Sequence, residues 1–259
     1  MLQRIAQIVL AAGAELSRLR GAADTQGHWE GTQLKTAADL LLDRFLRTQL
    51  EKATPDMPII SEEDAGARAV NRPARYWLID PIDGTASFSA GFPGYVTQIA
   101  LMEGTTPRLA AICAPALELL YLAEKGRGAT LNGRPLLVAP GSARRILIDN
   151  SPEPRGVARS IHQGLLCDGY IECGSISLKV CRVADGTADL FVKDVVVRDW
   201  DVAPADLVLG ESGGYLCLPD RNRFLYHGSL EKPGLVAAHS MDLVHAAIDC
   251  MRHVQPNPT

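Results

Sequence analysis

Two aspartates three residues apart, Asp80 and Asp83, lie in the stretch Trp77-Leu78-Ile79-Asp80-Pro81-Ile82-Asp83-Gly84-Thr85. Tyr76 to Ile79 is bulky and apolar or aromatic, which reads as the end of a buried strand. Pro81 lacks an N–H and is expected to stop the ladder there. Gly84 permits a tight turn, and Thr85 is the expected N-cap of a short helix beginning at Ala86. The two carboxylates therefore stand at a strand end, beside free N–H groups at a helix start. Carboxylates of this kind suit a hard cation, and the N–H groups suit a phosphate. Packing gives little reason to put two carboxylates beside the end of an apolar strand. They repel each other, and both stay ionised only with a compensating cation. The donors are all oxygen, with no thiol or histidine partner, which points to magnesium or manganese rather than zinc.

Further acidic groups also lie at or near the ends of expected elements. Glu62-Glu63 follows a short strand, Asp201 opens a helix, and Asp39 sits in the first turns of another. Taken alone, each has an ordinary explanation: a helix N-cap for Asp201, a solvated face for Asp39, a charged turn for Glu62-Glu63-Asp64. A rival reading of the central stretch is the aspartyl-phosphate motif Asp-x-Asp-Gly-Thr, whose first aspartate is a nucleophile. The spacing here is three residues rather than two, so the second carboxylate cannot take the same position, and that reading is rejected.

The elements that must position these groups follow from periodicity. Apolar residues Leu2, Ile5, Ile8, Val9, Ala12 and Leu16 recur at helical spacing and predict an amphipathic helix over 1–20 rather than a leader peptide. Residues 22–33 read as an exposed loop or hairpin, and a second helix is expected from about Thr36 to Leu50. Strands are expected at 57–60, 76–79, 95–101, 109–114 and 119–122, then a small hairpin over 126–133. Strands in succession imply an antiparallel or mixed sheet. After a boundary at Pro140-Gly141-Ser142, strands are expected at 145–148, 170–172, 188–192, 215–218 and 234–238. Helices are expected at 157–166, 175–185, 202–209 and 242–252, the third ended by Gly213-Gly214. Residues 255–259, Gln255-Pro256-Asn257-Pro258-Thr259, read as a disordered tail without function. With 259 residues, 47% of them hydrophobic, the chain can bury a sizeable core. Its net charge of −4 and lack of a long basic run argue against a nucleic-acid polymer as partner. No apolar run is long enough for a membrane span. The six cysteines form no CxxC pair and read as reduced thiols of a cytoplasmic protein.

Asp80-Pro81-Ile82-Asp83-Gly84-Thr85, Trp200-Asp201-x-Ala203, Gly213-Gly214, Glu62-Glu63 and Thr36-Ala37-Ala38-Asp39 together resemble the inositol monophosphatase superfamily, over nearly the whole chain. The resemblance implies an α/β fold, a layered α-β-α-β-α sandwich of the inositol monophosphatase/fructose-1,6-bisphosphatase type. Residues 1–140 would form an N-terminal α+β subdomain with most metal ligands, and 141–259 a C-terminal α/β subdomain with Asp201 and the specificity residues. It implies a magnesium-dependent phosphoric monoester hydrolase, often lithium-sensitive, acting on a small-molecule phosphate monoester with a metal-activated water. Glu62, Asp80 and the Ile82 carbonyl would hold one Mg2+, Asp80, Asp83 and Asp201 a second, and Glu63 a weaker third; Mn2+ could substitute. Thr85, oriented by Asp39, would position the attacking water, with Glu62 also in the catalytic set, and the Gly84 and Thr85 N–H groups would bind phosphate. A homodimer is compatible with all of this.

The segment Gly174-Ser175-Ile176-Ser177-Leu178-Lys179 is similar to the 3'(2'),5'-bisphosphate nucleotidase branch, where a Ser-Leu-Lys opens this helix. It implies that Gly174, Ser175 and Lys179 contact substrate, Lys179 through a second phosphate; the alternative for Lys179 is a solvated helix face. The Gly-Pro-Thr segment of that branch is replaced here by Asp194-Val195-Val196-Val197-Arg198-Asp199. Asp194 occupies the place of a hydroxyl-binding acid of inositol monophosphatases. Before Thr36, Thr32-Gln33-Leu34-Lys35 replaces the family's usual Lys and Ser-Pro-Val-Thr. The leading substrate is adenosine 3',5'-bisphosphate. The alternative is a polyol or amino-alcohol phosphate such as inositol phosphate or histidinol phosphate. A third reading, a weak paralogue that only binds a phosphorylated ligand, is disfavoured because every core ligand position is filled.

Overall fold

A computed structural model describes residues 1–21, 27–30, 33–64, 72–137 and 145–252. Helix α1 (Leu2–Gly21) buries Ile5, Val9, Ala12 and Leu16, the stripe its periodicity predicts. Strands β1 (Gly27–Glu30) and β2 (Gln33–Thr36) form a hairpin leading into α2 (Ala37–Ala53), which buries Leu42, Leu46 and Leu50. Thr36 caps α2 through a capping box with Asp39. Strands β3 (Ile59–Ser61) and β4 (Arg75–Asp83) are followed by the short α3 (Thr85–Ser89). A meander follows: β5 (Val96–Glu103), β6 (Thr106–Ala114), one 3-10 turn, β7 (Leu119–Glu124), β8 (Gly128–Leu131) and β9 (Arg134–Leu136). These strands make a sheet of order β3-β4-β5-β6-β7-β8-β9, in which β3 and β4 are parallel and the other pairs antiparallel.

The second half alternates strand and helix: β10 (Ile146–Asp149), α4 (Gly156–Gly164), β11 (Gly169–Glu172), α5 (Ile176–Ala184) and β12 (Leu190–Lys193). A short strand β13 (Val197–Arg198) then leads into α6 (Asp199–Ser212), β14 (Tyr215–Cys217), β15 (Glu231–Lys232), β16 (Leu235–Ala238) and α7 (Met241–Arg252). The second sheet has order β11-β10-β12-β16-β14, its first three strands parallel.

Strand alternation produces the layers. In β4, Trp77 and Ile79 face α1 and α2, whereas Tyr76 and Leu78 join the middle core with α5 and α6. Ile148 and Phe191 of the second sheet close that middle core, while Leu147, Leu190 and Val192 face α4 and α7. The order is therefore helix, sheet, helix, sheet, helix, as expected. No helix among the described residues is long and apolar enough to cross a membrane.

Local departures from expectation concern the acidic residues. Strand β4 runs through Pro81 to Asp83 instead of ending at Asp80. The extra residue is absorbed by a register shift: Asp80 pairs Gln98 and Asp83 pairs Val96. Helix α3 begins at Thr85 rather than Ala86, so the cap position falls to Gly84 in the left-handed region (φ +91°). Helix α6 begins at Asp199, which puts Trp200 and Asp201 inside its first turn instead of ahead of it. The two-residue pair β13–β15 joins residues far apart in sequence and had no local signal. The expected boundary at 140–142 and the tail at 255–259 lie outside the described residues.

Candidate active site

The register shift in β4 decides where its carboxylates point. Asp80 follows Tyr76 and Leu78 on the face toward α5 and α6, while Ile82 packs with Trp77 and Ile79 on the other. One extra residue between Asp80 and Asp83 returns Asp83 to the Asp80 side, so both carboxylates enter the same interlayer space. Asp201 enters it from the first turn of α6, where its Oδ2 accepts the Arg198 N–H at 2.8 Å. Glu62 enters from the turn after β3, its N–H donating to the Ile79 carbonyl at 3.3 Å.

Carboxylate oxygens of Glu62, Asp80 and Asp201 all lie within 4.8 Å of one another. Asp80 is completely buried, and its Oδ1 meets no hydrogen-bond donor among the described residues. Burial first, then the Glu62, Asp83 and Asp201 carboxylates, push the Asp80 carboxyl well above the usual range. Burial, then Asp83 and Glu62, do the same to Asp201. An orphaned buried oxygen among like charges is the electrostatic signature of a cation site, and the all-oxygen donor set fits a hard divalent ion.

Asp83 stands beside this group but is engaged elsewhere. Its Oδ2 accepts from the Ser175 hydroxyl and from the Ser177 N–H at 2.8 Å, and its Oδ1 from the Ile176 N–H at 3.2 Å. It thus caps the N-terminus of α5, where partial positive charge favours a carboxylate. Burial raises its pKa, and these hydrogen bonds oppose the rise. Glu63 is half-buried in the same turn as Glu62 and is outside the converging three.

Asp39 lies on the other side of β4. Its Oδ2 accepts the Thr36 N–H at 2.7 Å, and its Oδ1 lies 3.2 Å from Thr85 Oγ1. Thr85 Oγ1 is also 2.9 Å from the Ile82 carbonyl, so its hydroxyl can donate to either oxygen. Asp39 is buried rather than on a solvated face.

Gly84, Gly94 and Gly174 pack backbone against backbone. A Cβ on Gly174 would lie 1.8 Å from Ser87 Oγ, and one on Gly94 would lie 2.6 Å from the Gly174 nitrogen. Side chains at these positions would push α5 away from β4. Ser175 caps α5 by accepting the Leu178 N–H at 2.9 Å. Lys179 does not sit on a solvated face: it is 1% exposed, donates to the Gly174 carbonyl at 3.2 Å, and lies 5.0 Å above the Phe191 ring. Burial lowers its pKa to about 8. Asp194 is exposed, directly after β12.

Gln98 was not anticipated. Pro204 lies inside α6 and has no N–H to offer the Trp200 carbonyl one turn back. Gln98 Nε2 supplies that donor at 2.9 Å and lies 3.4 Å from Asp80 Oδ2, while its Oε1 accepts the Ser177 hydroxyl. One side chain thus ties β5, α5 and α6 together around Asp80. The signal was present: a glutamine in a largely apolar strand, with a proline in the first half of a helix. A cavity of about 390 Å³ beside α1, lined by Gly13, Cys113, Pro115 and Asn132 among others, contains none of these residues.

Comparison with known proteins agrees with this geometry. The chain is 32% identical over 225 residues to a 3'(2'),5'-bisphosphate nucleotidase, CysQ, of Aggregatibacter actinomycetemcomitans, with 83% of each chain covered. It is 31% identical over 195 residues to inositol monophosphatase 1 of Sus scrofa, covering 71% of this chain and 70% of that one. An IMPase of Thermotoga maritima superposes with a TM-score of 0.84 at 23% identity, covering 98% of this chain and 99% of that one. Residues 2–252 match the family described as the inositol monophosphatase family. The layered fold, the buried carboxylates and the sequence match therefore agree that this chain belongs to the inositol monophosphatase family and is a phosphoric monoester hydrolase.

Proposed function

We propose that the chain hydrolyses a nucleoside bisphosphate, such as adenosine 3',5'-bisphosphate, with magnesium. Glu62, Asp80, Asp201 and the Ile82 carbonyl would hold the cations, with Asp83 sharing the second and Glu63 supporting a weaker third. Bound there, such ions lower the pKa of a water and stabilise the leaving oxygen. The chain supplies the rest. Asp39 holds the Thr85 hydroxyl, which orients the attacking water, and the Gly84 and Thr85 N–H groups face the phosphate. Residues 1–140 would form the subdomain with most of the ligands, and 141–259 the one with Asp201 and the specificity residues.

The observation that carries the substrate choice is Lys179. A lysine is rarely buried without a partner for its charge. This one returns to the Gly174 carbonyl, at the start of the helix that Asp83 caps. The Asp149 and Asp83 carboxylates favour its charged form, and a second phosphate would add to them. The identity to a bisphosphate nucleotidase points the same way.

A specific observation also favours the second reading, a polyol or amino-alcohol phosphate. Strands β10 and β12 are parallel neighbours, and the chain leaves their ends toward α4 on one face and α6 on the other. Ligands of open α/β sheets settle in such crevices. Asp194 follows β12 there, exposed, and would accept a substrate hydroxyl or ammonium.

The test is phosphate release with magnesium from adenosine 3',5'-bisphosphate, inositol 1-phosphate, fructose 1,6-bisphosphate and histidinol phosphate, each with and without lithium. Preference for the bisphosphonucleotide, lost in Lys179→Met through KM, supports the first reading. Preference for inositol or histidinol phosphate, lost in Asp194→Ala, would replace it with the second.

A further inference from the structure

Helix α2 carries Asp39, Asp43 and Arg47 at intervals of four residues, so the three share one face. Asp39 reaches Thr85. One turn on, Asp43 Oδ1 accepts the Ser61 hydroxyl at 2.6 Å, and Asp43 Oδ2 accepts Arg47 Nε at 2.7 Å. The Arg47 guanidinium then reaches the turn after β3, donating to Asp64 Oδ1 at 2.6 Å. Within that turn Asp64 Oδ2 accepts the Ser61 N–H at 2.9 Å, and the Glu63 N–H donates to Ser61 Oγ at 3.2 Å. Ser61 is completely buried, and Asp43 is 8% exposed. The turn is closed on itself by Asp64 and clamped to α2 by Asp43 and Arg47.

We propose that Asp43 and Arg47 are positioning residues for the cation site, holding Glu62 against Asp80 and Asp201 before any cation binds. The need is electrostatic. Glu62 faces two buried carboxylates that repel it, and the acidic run Glu62-Glu63-Asp64 would relax toward water if it were free to move. Arg47 takes up Asp64 at one end of that run, and the Ser61–Asp43 bond anchors the other. Without the clamp, each binding event must order the turn, and affinity falls accordingly. The same helix face holds Thr85 through Asp39, so α2 fixes the spacing between the cation ligand and the threonine. The proposal rests on Glu62 being a cation ligand.

The experiment measures Mg2+ affinity by calorimetry, without substrate, on the full chain and on Arg47→Met, Asp64→Asn and Glu62→Gln. Both clamp variants are expected to bind Mg2+ about 10–100-fold more weakly, as loss of outer-shell support does elsewhere. Their circular dichroism and their KM at saturating Mg2+ should stay those of the parent. Arg47→Lys should recover only part of the affinity, because an ammonium does not present a fork to two carboxylates. If Arg47→Met does not fold, Asp64→Asn decides, since it keeps the Arg47–Asp43 pair. Parental affinity in the folded clamp variants with a deficient Glu62→Gln would overturn the clamp. Parental affinity in Glu62→Gln as well would overturn the ligand reading and the clamp with it.

Discussion

Two aspartates in the first turn of α6 have opposite surroundings. Asp199 is completely buried, and the chain itself supplies its counter-charges: Arg72 at 2.6 Å and Lys232 at 3.4 Å. Arg72 also donates to the Gly228 and Ser229 carbonyls, so the pair stitches α6 to the 228–232 segment. Asp201, two residues on, faces Glu62, Asp80 and Asp83, and burial, then the Asp83 and Glu62 carboxylates, drive its pKa up against a smaller pull from Arg198. Asp199 also rises with burial, but Arg72 and then Lys232 pull it back. Residue type and helix position are nearly the same, so the difference lies in who provides the cation. Where the chain provides it, the carboxylate is structural; where it does not, the function proposed above gives that part to an ion from solution.

The largest expected difference comes from Asp80→Asn. Hydrolysis should fall to background, and magnesium should no longer raise the melting temperature, whereas a ligand at a hundred times its Kd adds about 2.7 kcal/mol to the parent. The metal-free protein should behave in the opposite sense. A carboxyl whose folded pKa is raised binds more protons in the native state, so stability falls as pH rises above the unfolded value. Asparagine removes that loss, and the metal-free variant should melt higher than its parent at neutral pH. Retained turnover would remove Asp80 from the site. Asp83→Asn is a less clean probe, because its amide would face the Ser177 N–H that the carboxylate now accepts.

Asp199→Asn sharpens the contrast by reversing the sign. It leaves Arg72 buried without its counter-charge and should cost about 3–5 kcal/mol in urea unfolding at neutral pH. If Asp80→Asn and Asp199→Asn shift metal-free stability in the same direction, the distinction between the two carboxylates fails.

Gln98→Leu is expected to have a smaller effect. It strands the Trp200 carbonyl that Pro204 cannot satisfy, at a cost of about 1–3 kcal/mol. Because Gln98 also touches Asp80, the magnesium dependence should shift with the stability; a stability loss with unchanged magnesium dependence would confine Gln98 to packing. The smallest effect is a pH response. Lys179 is charged below a pKa of about 8 and neutral above it. KM for a bisphosphate should therefore rise as pH passes through 8, while KM for a monophosphate should not. A parallel rise for both substrates would detach Lys179 from the second phosphate.

Much of this was legible in the chain because it is local. Helix α1 declares itself by apolar spacing, α2 by Thr36 and Asp39, and the end of α6 by Gly213-Gly214. The buried strand delivering Asp80 and Asp83 is readable from four bulky residues followed by a carboxylate, although the proline suggested an earlier end. What a proline does inside a sheet depends on its partner strand: the shift opposite Thr97 accommodates Pro81 and turns Asp83 back toward Asp80. Side-chain burial was less legible. Asp39 and Lys179 each allowed a solvated reading, because a helical residue's exposure is set by what packs against that face.

By itself, the sequence determined the element types and the residues able to bind a hard cation, since both rest on local propensity and chemical type, while the layered class followed from its resemblance to the family. Tertiary structure alone decided which carboxylates converge. It brought Glu62, Asp80 and Asp201 within 4.8 Å of one another from a turn, a strand and a helix, and turned Asp83 onto the start of α5. It gave Asp199 an arginine and a lysine at ion-pair distance and set Asp201 among carboxylates that Arg198 only partly offsets. Pairing across more than a hundred residues has no local signature, because the electrostatic field at a buried group is the sum over neighbours that only folding assembles.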